Sequence, residues 1–149
     1  MSEVVVIDAG VALAWFIDPP GERKDYALSV LRAFQKQQIT FIVPDIFFVE
    51  VPYALLKAKN KGLISESTVA QAARFIDVMT TDIVPSSYSI EESINRAVRW
   101  ELKAYDATYF DLAVRMDVPL AAIDKDLVNK ARKFSVPIWE PAQATKSKK

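Results

Sequence analysis

The chain contains no cysteine and no histidine among its 149 residues. Without cysteine, structural disulfides, thiolate zinc and sulfur nucleophiles are excluded. The missing histidine removes imidazole metal sites, Ser-His-Asp triads and histidine general bases together. Glycine is scarce. Gly10, Gly21 and Gly62 are the only three, too scattered for a P-loop or a dinucleotide fingerprint. Neither sign of charge dominates, because 19 Lys and Arg balance 19 Asp and Glu. Net charge therefore does not mark a nucleic-acid binder, and any such contact would need a local basic face. Long apolar runs are missing too. The longest stretch without charge, residues 9–17, is too short to cross a bilayer. Glu3 and Asp8 interrupt the apolar run that a secretory signal would need. The expectation is a cytoplasmic protein with no membrane association, in which carboxylates lead any chemistry.

Apolar residues make up 51% of the chain, at or slightly above the upper end for soluble domains. A chain of this length can bury a full core in one domain, with apolar surface left over for a partner. Residues 4–7 are a β-branched run that reads as a strand buried on both faces. A helix over 9–17 follows, broken by Pro19-Pro20-Gly21, and then a helix over 22–36. The second strand is 41–43. Asp45 can cap the next helix, which runs through Glu50 to about Lys59, with Pro52 kinking it or displacing its start. Ser65 opens a helix over 66–79, with Val69, Ala72, Ala73 and Ile76 on one face, and residues 82–84 form a third strand. Ser89 and Glu92 make a capping box for a helix to about Lys103. Another helix begins near Asp106, a fourth strand spans 120–123, a helix spans 125–134, and 136–138 form a short last strand. Alternating strands and helices imply an α/β fold with a parallel sheet covered on both faces. Residues 1–140 are read as the folded domain and 141–149 as a flexible basic tail.

Ligands in such sheets sit beyond the carboxyl ends of the strands. Asp8 and Asp124 each follow an apolar strand, Glu50 lies near the front of the helix after the second strand, and Asp106 stands at a helix start. Four acids from distant parts of the chain can thus meet in one cleft. Each also has an ordinary reading: an N-cap for Asp106, and solvated strand-end turns for Asp8 and Asp124. Glu50 is set among Phe47, Phe48, Val49, Val51 and Pro52, where an unpaired carboxylate is costly. Converging carboxylates repel and raise one another's pKa. A divalent cation resolves that repulsion, and oxygen-only ligands select Mg²⁺ or Mn²⁺. Such chemistry points to phosphodiester or phosphate-ester hydrolysis.

The segments Val6-Ile7-Asp8-Ala9-Gly10, then Pro44 with Glu50-Val-Pro-Tyr-Ala-Leu55, then Tyr105-Asp106-Ala-Thr-Tyr-Phe-Asp-Leu-Ala113, then Leu120-Ala-Ala-Ile-Asp124-Lys-Asp-Leu127 resemble a PIN domain. Within that superfamily they are most similar to the VapC toxins of prokaryotic toxin–antitoxin pairs. The resemblance runs from Val4 to about Ile138 and is most specific in the segment from Tyr105 to Ala113. It implies a PIN-like three-layer α/β/α sandwich with a central, mainly parallel sheet, and a Mg²⁺- or Mn²⁺-dependent endoribonuclease. It carries over Asp8, Glu50, Asp106 and Asp124 as catalytic residues and metal ligands, with Asp8 and Asp106 the primary pair. Also implied are in-line attack by a metal-activated water on RNA, leaving a 5′-phosphate and a 3′-hydroxyl, a cognate antitoxin partner and a homodimer. An RNA-processing nuclease without antitoxin, and a PIN-fold binding module with a decayed site, stand as alternatives.

Three positions depart from the family pattern: Gly10, Tyr53 and Ala122 replace small polar residues that accompany the acids. Losses of this kind typically lower metal affinity or rate about 10–100-fold, so weak activity or a need for Mn²⁺ is expected. Gly10 also disfavours an Asp-x-Asp phosphatase, since it stands where the second aspartate belongs. Asp126 reads as a cap or a solvated first-turn residue, and Asp111 as structural. Arg96, Arg99 and Lys103 on one helix side, and Lys57, Lys59 and Lys61 before Gly62, are candidate RNA contacts with a solvated face as their ordinary reading. Trp15, Phe16, Phe47 and Phe48 read as core, or as a contact for a second copy or the antitoxin.

Overall fold

The computed structural model describes residues 2–79, 82–85 and 89–142, so most of the expected basic tail lies outside the described residues. The chain opens with β1 (Glu3–Ile7), a β-branched run in which Val5, Val6 and Ile7 are all buried. Successive strand residues point to opposite faces, so three buried in a row require cover on both sides. Then come α1 (Ala9–Ala14), α2 (Glu22–Gln35) and β2 (Ile39–Pro44), followed by α3 (Phe47–Asn60) and α4 (Glu66–Met79). The second half holds β3 (Asp82–Val84), α5 (Ile90–Trp100), α6 (Ala104–Met116), β4 (Leu120–Ala121) and α7 (Lys125–Lys133). The sheet has the order β3-β2-β1-β4, and every pairing is parallel. This is the α/β sandwich that the alternating pattern implies, with β1 central and its carboxyl end beside those of β2 and β4.

Aromatic packing fixes the layers. Phe41 of β2 stacks on Phe34 of α2, with ring centroids 4.8 Å apart and planes 8° from parallel. Trp15 meets Phe41 and Phe75, and its indole N–H donates to the Ala27 carbonyl at 2.7 Å. A second cluster, Trp100, Phe110 and Phe134, ties α5 and α6 to the residue that follows α7. Trp15 and Phe47 are buried, with Phe16 and Phe48 packed against the core, so this early aromatic group serves the interior.

Several boundaries differ from the sequence expectation for physical reasons. Residues 136–138 form no strand. Leu120 N–H donates to the Pro137 carbonyl and Trp139 N–H to the Leu120 carbonyl, leaving a single bridge between Leu120 and Ile138. Pro137 has no N–H with which to extend that ladder. The fourth strand is correspondingly only two residues long. Helix α3 begins at Phe47 and runs through Pro52, so the proline does not displace its start, and the N-cap position is Ile46 without a side-chain cap bond. Helix α6 begins at Ala104 with Lys103 as N-cap. Asp106 is therefore inside the first turn and does not cap. The capping box on α5 is present, with Ser89 and Glu92 exchanging hydrogen bonds. That helix ends at Trp100, where Glu101 takes a left-handed conformation at φ 56°. Ala73 is exposed, and Met79 is buried on α4 instead.

Phe41 should be the most telling core probe. Phe41→Ala removes the ring that joins Phe34 and Trp15, and is expected to destabilise by about 3–5 kcal/mol. Urea unfolding should report a lower midpoint with an unchanged slope.

Candidate active site

All four sequence-predicted acids line one cavity of about 730 Å³ at the carboxyl edge of the sheet. Asp8 directly follows β1, Glu50 sits in the first turn of α3 beyond β2, Asp106 in the first turn of α6, and Asp124 caps α7 shortly after β4. The parallel pairing explains the convergence. Strands that run the same way discharge their following residues at the same edge, and the four parts of the chain meet there.

Asp8 is buried, and its Oδ2 accepts from the Gly10 N–H at 3.1 Å. Burial, followed by repulsion from Asp106, raises its pKa from 3.8 to about 7. The Gly10 bond opposes the rise, and Glu50 and Asp124 add to it. Glu50 is also raised, chiefly by burial, with the Tyr109 hydroxyl pulling it back and Asp106 pushing it further. That hydroxyl donates to Glu50 Oε1 at 2.6 Å. Burial and the neighbouring Glu50 carboxylate hold the Tyr109 phenol far above its ordinary range, so it stays a donor at any physiological pH. Asp106 is raised by burial and by Asp124, while Lys103 lowers it. Asp124 Oδ2 accepts from the N–H groups of Asp126 and Leu127 at 3.0 and 3.3 Å.

This donor set is hard, anionic and free of nitrogen and sulfur, which suits a divalent cation of the Mg²⁺ type. No group of three acids among the described residues is already drawn together to hold a metal ion. Three of the four are tied to separate partners: Asp8 to Gly10, Glu50 to Tyr109 and Asp124 to the start of α7. Gly10 matters here for close approach. A Cβ at that position would stand 3.1 Å from Asp8 Oδ2, so a larger residue would crowd the carboxylate against its own anchor.

The basic residues divide differently from the helix-face reading. Arg96 is buried, with an Nη donating to Thr108 Oγ1 at 3.4 Å, so it serves the α5–α6 seam and does not face solvent. Asp111 is structural. It accepts from the Trp100 indole N–H and from Arg115 Nε, both at 3.0 Å, with Arg99 at 3.9 Å. Lys103 does reach the cavity, and so does Arg23, which also pairs with Asp18 at 2.9 Å. Lys57 lies over the Tyr53 ring, 5.9 Å from its centroid. Among the functional positions, the sequence reading missed the parts played by Tyr109 and Arg23. Tyr109 carried a signal, since it lies three residues after Asp106 on the same helical face. Arg23 carried none, because only the fold brings the start of α2 to this edge.

The raised pKa of Asp8 has a stability consequence. A carboxyl that keeps its proton to about pH 7 when folded, and to about pH 4 when unfolded, makes the folded state the better proton binder between those values. Stability of the metal-free protein should therefore fall as pH rises from about 4 to 7. Urea unfolding in EDTA is expected to show that decline. Asp8→Asn should reduce it to the part contributed by Glu50 and Asp106, which are also raised, and be the more stable form at pH 7.5, by on the order of a few kcal/mol. A decline of equal size in the variant would show that Asp8 is not its source.

A PIN domain model matches residues 5–133. No curated protein matches the chain. Among solved structures, PAE2754 of Pyrobaculum aerophilum is similar at a TM-score of 0.62 and 18% identity, covering 87% of each chain. VapBC2 of Rickettsia felis, determined bound to a DNA fragment from its promoter, gives a TM-score of 0.62 at 13% identity over 93% of this chain and 98% of the other. VapC20 of Mycobacterium tuberculosis, a toxin that cleaves the sarcin–ricin loop, gives 0.60 at 14% identity over 84% and 93%. At these identities the likeness is one of fold, and the family model adds the assignment. With a parallel sheet in this order, acids at its carboxyl edge and a domain model spanning most of its length, the chain belongs to the PIN domain family, a family of nucleases.

Proposed function

We propose that the protein is an endoribonuclease dependent on Mg²⁺ or Mn²⁺, acting as the toxin of a toxin–antitoxin pair. The observation that carries this reading is the cavity itself, where Asp8, Glu50 and Asp106 are held partly or wholly out of water with raised pKa values and Asp124 faces them. Asp8 and Asp106 would hold the ion, with Glu50 and Asp124 completing the set. A bound divalent ion would supply neutralising charge at a phosphoryl oxygen and a lower pKa for water.

The chain's own residues account for the remaining work. Tyr109 holds one carboxylate oxygen of Glu50 in place through its 2.6 Å bond. The backbone N–H groups of Asp126 and Leu127 do the same for Asp124. Asp8 must lose a proton to act as an anionic ligand, which links ion binding to pH near 7. Lys103 and Arg23 line the cavity and offer positive charge to RNA phosphates.

The toxin part of the reading is supported by the likeness to VapC20, which cleaves the sarcin–ricin loop, and to VapBC2. Exposed apolar residues such as Val49, Leu56, Ile94 and Val98 supply surface for an antitoxin or a second copy. No helix among the described residues is long and apolar enough to cross a membrane.

A mixed-sequence fluorescent RNA provides the test. Wild-type protein should cleave it with Mn²⁺ or Mg²⁺ and not in EDTA. Asp8→Asn and Asp106→Asn should each lower the rate on the order of 100-fold or more. Cleavage that survives both substitutions would end the carboxylate mechanism. Folded protein that binds the ion and cuts no RNA would favour the decayed binding module.

A further inference from the structure

We infer that Tyr53 and Tyr105 are the base-stacking platforms of this cavity, the residues that receive the unpaired bases of its RNA. This rests on the ribonuclease reading of the same site and adds the residues that would meet the bases of the substrate.

The first observation is exposure. Nearly all of the described aromatic side chains are buried or packed against the core; only Tyr53 and Tyr105 are exposed, at 66% and 52%. The second is location. Both line the cavity that holds the four carboxylates. They come from the two helices that also deliver Glu50 and Asp106. Tyr53 is one turn beyond Glu50 on α3, and Tyr105 immediately precedes Asp106 on α6. A single exposed aromatic needs no explanation. Two, with no third elsewhere among the described residues and both at the acidic cavity, mark that cavity as a place that receives flat apolar groups.

The third observation is that neither ring is engaged in holding the fold. Among the described residues neither hydroxyl makes a hydrogen bond, whereas the Tyr26 hydroxyl donates to the Trp139 carbonyl and that of Tyr109 to Glu50. Tyr53 has Lys57 above its ring, 5.9 Å from the centroid, which places a cation beside the aromatic face. Lys103 and Arg23 line the same cavity. Flat faces for bases beside cations for phosphates are the two elements by which single strands are held. Bases within an A-form duplex are stacked on each other and present only their edges, so a tyrosine face is useful only to an unpaired base.

The test uses the full chain carrying Asp8→Asn, which removes cleavage. Its binding to a fluorescein-labelled single-stranded RNA, and to the same strand annealed to its complement, is followed by anisotropy. The single strand should bind at least about 10-fold more tightly. Tyr53→Ala and Tyr105→Ala should each weaken single-strand binding about 5- to 150-fold, the range for losing one stacked base, and leave duplex binding unchanged. Tyr53→Phe and Tyr105→Phe should restore it, since the ring and not the hydroxyl does the stacking.

Unchanged single-strand affinity in both alanine variants would overturn the inference, as would no preference for the single strand. Equal losses on both RNAs, with a dimer dissociating in sedimentation, would also overturn it and assign the tyrosines to a contact between copies. Metal-dependent cleavage by the parent chain, run alongside, separates the two readings. Tyrosine-dependent binding without cleavage would sustain the stacking role and remove the nuclease. Cleavage with wild-type KM and kcat in the alanine variants would do the reverse.

Discussion

Repulsion among carboxylates held away from water is the constraint around which the carboxyl edge of this sheet is organised. Burial alone raises the pKa of Asp8, Glu50 and Asp106, and proximity adds to the effect for each. The folded chain tolerates this because every strand and helix that delivers an acid is held elsewhere by apolar packing. Total stability for a domain is typically about 5–15 kcal/mol, so the penalty at one edge is a substantial fraction of it. An arrangement that unfavourable without a counter-ion persists when something else in the structure over-determines it. Here that is the central position of β1, covered on both faces.

Small anchors then decide how the charges are aimed. Asp8 turns back to the Gly10 N–H, where a Cβ would stand 3.1 Å from its Oδ2. Glu50 leans on the Tyr109 hydroxyl from α6, and Asp124 on the first turn of α7. Two of these anchors are local, since Asp8 and Asp124 accept from N–H groups two or three residues ahead, and only the Tyr109–Glu50 bond reports how α6 lies against α3. A shift of one helix would change which carboxylates face each other. The cations follow the same logic, with Lys103 entering from the N-cap of α6 and Arg23 from the start of α2.

The sheet was readable in the sequence because parallel strands buried on both faces are continuous apolar runs, and residues 4–7 and 41–43 stand out as such. Three of the acids stood out for a related reason, since Asp8 and Asp124 follow strands and Glu50 lies in the helix after one, whereas Asp106 opens α6, which follows another helix. What the sequence could not convey was the way helices lie on one another. Arg96 looked like part of a basic face, yet α6 packs over that side of α5 and Thr108 meets its guanidinium. Residues 136–138 carried β-branched signal, but Pro137 limits them to one bridge. The spacing of Tyr109 from Asp106 put it on the same helical face, but that its hydroxyl reaches Glu50 on α3 is a tertiary fact. The exposure of Tyr53 and Tyr105 is likewise set by what fails to cover them, which no local pattern records.

The claim that these four acids form a single ion-binding unit is tested most directly by titrating Mn²⁺ into the protein at pH 6.5. Calorimetry in two buffers of different ionisation enthalpy counts the protons released. Binding should be accompanied by proton release, because burial and the neighbouring carboxylates raise the Asp8 pKa to about 7, and both should be lost in Asp8→Asn. No binding at millimolar Mn²⁺, or binding of equal strength in the variant, would contradict it.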